Sequence, residues 1–79
     1  MKIKIYITLK AGVLDPQGKA VEHALGALGF QGVEGVRIGK YIEVVVKEPD
    51  RTKAEAQVKS MCEKVLANTV IESYRYDIE

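Results

Sequence analysis

Two side-chain types that commonly carry out chemistry occur once each in this sequence, as His23 and Cys62. Nucleophilic catalysis needs a base held against its nucleophile, and no Ser, Cys or Asp stands at a telling spacing from His23. On a helical wheel His23 lies opposite the apolar residues around it, which predicts an exposed ring. A soft metal is gripped by a pair of thiolates, which one cysteine cannot supply. Cys62 falls on an apolar stripe and reads as a core residue. It also forbids an internal disulfide and fits a reducing compartment. The glycines form no phosphate cradle, because Gly12-Val13-Leu14-Asp15 lacks the glycine spacing and the Lys-Ser/Thr of a P-loop. Small phosphatases of comparable size hold phosphate with an arginine in the first loop, and Lys10 to Asp15 contains none. Tyr6 and Tyr41 have rings on which bases could stack. The run Lys40-Tyr41-Ile42-Glu43-Val44, however, is not the aromatic-rich signature of an RNA-recognition domain.

Charge narrows the partners further. Twelve basic and eleven acidic residues leave a net charge of +1, so bulk charge draws in neither nucleic acid nor an anionic membrane. The chain is 47% apolar and 29% charged, a globular composition. No apolar run approaches the ~20 residues of a membrane-spanning helix. The alternating start, Met-Lys-Ile-Lys-Ile-Tyr, lacks the apolar block of a signal peptide, and a cytoplasmic location is expected. With 79 residues the chain is expected to form a single domain over 1–79. A domain of that size buries only about 60–65% of its unfolded surface. Little room remains for a deep cleft, and self-association is a natural source of extra burial.

The elements that must position any functional residue follow from periodicity. Ile3, Ile5, Ile7 and Leu9 alternate with Lys2, Lys4, Tyr6, Thr8 and Lys10, which predicts a half-buried strand. Asp15-Pro16 is a helix start, with Asp as N-cap and Pro in the first turn. Val21, Ala24, Leu25 and Leu28 follow at helical spacing, and Gly29 ends the helix. Residues 33–38 and 41–47 both read as strands, joined by Gly39-Lys40 as a tight hairpin. Pro49-Asp50 opens a second helix from Arg51 to about Ala67, whose buried stripe is Ala54, Val58, Met61, Cys62 and Val65. Glu55 and Lys59 form an i,i+4 pair on its outer side. Asn68 ends this helix, and a last strand runs from Val70 to Ile78 with Tyr74, Tyr76 and Ile78 on one side.

The order β-α-β-β-α-β repeats one plan in 1–39 and 40–79. It predicts an α+β two-layer sandwich of the ferredoxin-like, split-βαβ class, with an antiparallel sheet and both helices on one face. The other sheet face carries Tyr6, Thr8, Tyr41 and Val45 among Lys4, Lys10, Glu43 and Lys47. A half-polar bare face on so small a domain favours pairing of two copies through their sheets. Strand character alone leaves the final strand free to pair with its own chain or with another. Gly26, inside a helix on its outward side, leaves room for a close approach by another surface.

Two segments carry a resemblance. Thr8-Leu9-Lys10-Ala11-Gly12-Val13-Leu14-Asp15-Pro16-Gln17-Gly18-Lys19-Ala20 resembles the hallmark of the PurS family, the small third subunit of phosphoribosylformylglycinamidine synthase. Val36-Arg37-Ile38-Gly39-Lys40-Tyr41-Ile42-Glu43 is a second match. Ala24-Leu25, Leu28-Gly29-Phe30 and the tail Ala67-Asn68-Thr69-Val70-Ile71-Glu72-Ser73-Tyr74 are also similar. Thr69 departs from the family's usual proline, in a loop.

The resemblance implies a non-catalytic, dimeric connector in the fourth step of de novo purine biosynthesis, where formylglycinamide ribonucleotide becomes its amidine. Its implied partners are a glutaminase subunit and a large synthetase subunit, between which ammonia passes. ATP and Mg would serve the complex, with no cofactor, metal or catalytic residue on this subunit. The expected partner interface is Lys10, Gln17, Lys19, Arg37, Gly39 and Lys40, drawn from the first loop and the hairpin. Alanine at both Arg37 and Lys40 is expected to weaken partner binding with little change in melting point. The alternative is a regulatory domain of the same topology that binds a small ligand between paired copies.

Overall fold

The computed structural model describes residues 1–79 as three strands and two helices. Strand β1 (Lys2–Leu9) is central, with β2 (Gly39–Val45) and β3 (Glu72–Ile78) antiparallel on either side. Ile5 stands opposite Ile42 on one neighbour and Tyr76 on the other, while Tyr6 stands opposite Tyr41 and Arg75. This register turns Ile3, Ile5 and Ile7 to one face, where all three are essentially inaccessible to water. Helix α2 (Arg51–Met61) covers that face through Ala54 and Val58, with Cys62 just beyond its end. Asp50 caps α2 by accepting from the N–H groups of Thr52 and Lys53.

Helix α2 does not end cleanly. Residues Cys62–Leu66 continue as a single π-helical turn, in which the Ala67 N–H reaches back to the Cys62 carbonyl. A π-turn adds a residue to the local period and so rotates the face that follows. The expected stripe therefore holds through Ala54, Val58 and Cys62, but Val65 swings out to 80% exposure and Ala67 takes the buried place. On the outer side Glu55 pairs with Arg51 at 3.6 Å instead of with Lys59.

The α+β class and the split-βαβ plan stand, and β3 pairs within its own chain. The fourth strand does not form. Residues 33–38 form neither helix nor strand and join no sheet, so there is no hairpin at Gly39-Lys40 and the second half does not repeat the first. Gly39 instead opens β2 opposite Thr8, where a β-carbon would sit 2.5 Å from the Ile7 carbonyl oxygen.

Helix α1 (Pro16–Ala27) departs most from expectation. Asp15 caps it, Pro16 begins it and Gly29 (φ +93°) follows its end, as the sequence dictates. Yet Gly18 is its only buried residue, and none of its side chains belongs to the core. The chain measures 49 × 24 × 15 Å with a radius of gyration of 16.0 Å. A compact chain of this length would have about 12 Å. Helix α1 and the irregular return through residues 30–38 together form an arm that leaves the sheet and its α2 layer.

Candidate functional site

The arm is apolar where a solvated helix should be polar. Leu28 is 75% exposed and Phe30 59%, with Val21 and Val33 also open to solvent. The return segment has a second unmet need. No backbone group from Gln31 to Arg37 takes part in a backbone–backbone hydrogen bond. Amide groups normally find such partners once buried, so this segment is built to be either wet or paired with another chain. On the sheet, Ile42, Val44 and Val46 of the core face are only half-buried, because α2 packs over the other half and α1 is absent.

At the base of the arm the chain is tightly held. The Asp15 carboxylate, 6% exposed, accepts from the Gly18 N–H at 2.8 Å through one oxygen and from the Ile38 N–H at 2.8 Å through the other. The Ile38 bond, then the Gly18 bond, then the charge of Arg37 hold this carboxyl below the usual carboxylate range. Arg37 fans its guanidinium over the first loop, donating to the carbonyls of Leu9 at 3.0 Å, Lys10 at 3.2 Å and Val13 at 3.3 Å. Gly18 packs so closely on the return segment that a β-carbon there would collide with the Val36 carbonyl oxygen.

Two clefts meet along the Asp15–Ile38 seam. One, of about 370 Å³, is bordered by Val13, Leu14, Asp15, Lys19, Glu22 and Arg37. The other, of about 150 Å³, is bordered by Leu9, Gln17, Ile38, Gly39, Lys40 and Glu72. The structure thus gathers five of the six residues expected from sequence, Lys19 and Arg37 in the first and Gln17, Gly39 and Lys40 in the second. Lys10 contributes its carbonyl to the Arg37 fan, and its side chain faces solvent. Lys19 pairs with Glu22 at 3.3 Å and Lys40 with Glu72 at 3.5 Å, so neither cation is isolated. Glu22 and Glu72 escaped the sequence reading, as did the second role of Asp15. Its capping role is visible in the Asp-Pro pair, but a bond across 23 residues leaves no local signature.

The sheet face opposite the core is the second candidate surface. Tyr6 and Tyr41 stack with centroids 5.3 Å apart, and the Arg75 guanidinium lies 4.0 Å over the Tyr6 ring. Around them Lys2 pairs with Glu43 at 3.2 Å and Lys4 with Glu79 at 2.5 Å. Each carboxylate is held below its ordinary range, first by its hydrogen bonds, with Tyr41 leading for Glu43 and Lys4 for Glu79. This face is charge-matched within itself. The arm is the surface with unmet needs.

Residues 2–79 match the family model described as PurS, phosphoribosylformylglycinamidine (FGAM) synthase. The chain is 55% identical over 78 residues to the phosphoribosylformylglycinamidine synthase subunit PurS of Bacillus subtilis, covering 99% of this chain and 92% of that one. A crystal form of B. subtilis PurS superposes with a TM-score of 0.89 at 55% identity, over 99% of this chain and 96% of that one. A chain in the structure of PurLQS from Thermotoga maritima superposes with a TM-score of 0.89 at 33% identity, over 96% and 93% of the two chains.

Proposed function

Because this chain belongs to the PurS family of phosphoribosylformylglycinamidine synthase subunits, we propose that it acts in purine biosynthesis as the non-catalytic connector of that enzyme. Its reaction would convert formylglycinamide ribonucleotide to the amidine in the cytoplasm. The chain would hold a glutaminase subunit and a large synthetase subunit together while ammonia passes between them. Ammonia protonates and disperses in bulk water, so docking the two active sites raises transfer through proximity and exclusion of solvent. ATP and Mg would be used by the synthetase, and this subunit would bind neither. The residues around the arm base, Lys10, Gln17, Lys19, Arg37, Gly39 and Lys40, would face the partners.

The observation that carries this reading is the arm itself. An apolar helix face and an unpaired return segment are requirements for protein partners. The first partner we propose is a second copy of the chain. The helix that fails to cover the β2 half of its own sheet is the complement of that half in a neighbour, and a two-fold axis satisfies both at once. The irregular return, whose alternation reads as a strand, would then find its hydrogen bonds on an edge of the paired sheet.

The test measures amidine formation by the synthetase and glutaminase subunits, with and without this chain, using glutamine or ammonium as nitrogen donor. A requirement for the chain with glutamine but not with ammonium supports the connector. No effect on either rate overturns it and directs attention to small-ligand binding, where a ligand would raise the melting temperature by mass action.

A further inference from the structure

The arm meets the rest of the molecule only at its base, and everything there converges on two side chains. Asp15 ties the first turn of α1 to the start of β2, through Gly18 and Ile38. Arg37 ties the end of the return segment to the first loop, through Leu9, Lys10 and Val13. The two anchors are sequence neighbours of the arm's boundaries, one just before α1 and one just before β2. Each crosses between the outgoing and returning chain, and Gly18 lets the two approach without a β-carbon between them. Farther out the one bond joining α1 to the return is at the helix end, where the Phe30 N–H donates to the Leu25 carbonyl at 3.1 Å. The other side-chain hydrogen bond of the arm, Lys19 to Glu22, stays within the helix itself and does not cross to the return.

We propose that Asp15 and Arg37 form a latch that fixes the direction in which the arm leaves the sheet, making them positioning residues for assembly. The proposal rests on the pairing of two copies argued above and adds what aims the arm at its partner. A pre-aimed arm loses less conformational freedom on docking, so the latch strengthens association without itself touching the second copy. The same latch also accounts for Arg37 as part of the interface region. All its hydrogen bonds within the chain are to backbone carbonyls, so its substitution acts through the loop and the arm angle.

The test places spin labels at Gln31→Cys, near the far end of the arm, and Gln57→Cys, on α2. Both positions are exposed, whereas the native Cys62 thiol is buried. Labelled chains are diluted into excess unlabelled chain, so that only distances within one chain are read. The parent should give one narrow distance distribution. Asp15→Asn, which keeps one acceptor and loses the other, and Arg37→Ala, at an exposed site, should each broaden it, with Arg37→Lys between. Self-association of these variants should weaken on the order of tenfold. Hydrogen exchange of the β1 amides should match the parent, which separates loss of aim from loss of fold. A variant distribution that superposes on the parent's overturns the latch, as does a broadened one with undiminished association. If the parent stays monomeric at every concentration, the pairing reading falls, and the latch is then judged by the label distances alone.

Discussion

Replacing Leu28 and Phe30 together by alanine removes the two most exposed large side chains of the arm tip. Covering a Leu or Phe side chain completely stabilises by roughly 1.5–3 kcal/mol. Leu28 is 75% exposed and Phe30 59%. The part left for a partner to cover therefore contributes about 1–2 kcal/mol for each side chain. A two-fold pair presents both residues twice, which gives about 4–8 kcal/mol across the interface. Even the lower figure corresponds to a rise in Kd on the order of 10³-fold. Within one chain the same substitution touches nothing in the core, so monomer stability should move by no more than about 0.5 kcal/mol. Sedimentation equilibrium over a wide concentration range reads the association, and urea unfolding well below the parent's Kd reads the monomer. A double variant that associates as tightly as the parent would refute the claim that the arm is the pairing surface. A large loss of monomer stability would refute the claim that the arm stands apart from the core.

Other outcomes are as specific. Ile5→Ala empties the centre of the buried row on β1 and should cost about 2–5 kcal/mol in urea unfolding, with the arm's label distances unchanged. Asp15 is held ionised in the fold, so its contribution is complete above the ordinary carboxylate range and is lost as pH falls through its lowered folded value. The stability difference between the parent and Asp15→Asn should accordingly shrink below about pH 4 and be flat above it. A difference that persists unchanged into strong acid would show that the charge is irrelevant there. Burial raises the Cys62 thiol above its usual range, with the Glu63 charge adding to it. An aromatic disulfide reagent should modify Cys62 only as fast as the protein unfolds, and rapid modification of the native chain would contradict its placement.

Where the sequence pattern depended on one neighbour at a time, it was legible. The alternation of β1, the Asp-Pro start of α1, the Asp50 cap of α2 and the Tyr74, Tyr76, Ile78 face all appear as expected. Gln17, Lys19, Arg37, Gly39 and Lys40 border the two clefts at the arm base, although sequence alone reads Gly39 as a turn glycine. Two things were not legible. One is the π-turn after Met61, which no residue in Cys62–Leu66 announces. The placement of α1 depends on which molecule its apolar stripe faces. Val21, Leu25 and Leu28 have the same spacing whether the surface opposite them belongs to this chain or to another. Residues 33–38 pose the same ambiguity: Val33, Val36 and Ile38 carry strand character, and strand character does not name a partner.

The central position of β1 bears on how the chain is made. This strand precedes both of its partners along the chain, so one edge waits for Gly39–Val45 and the other for Glu72–Ile78, with Ile3 matched to Ile78. No native sheet of three strands can exist until Glu72–Ile78 has been released. During synthesis Ile3, Ile5 and Ile7 are therefore a β-prone row without a partner, which invites pairing with other nascent chains. Lys2 and Lys4 stand beside that row as charged interruptions of the kind that hold such segments apart. Their ion pairs to Glu43 and Glu79 form only once the later strands arrive. The two lysines thus serve the unfinished chain first and the finished sheet afterwards.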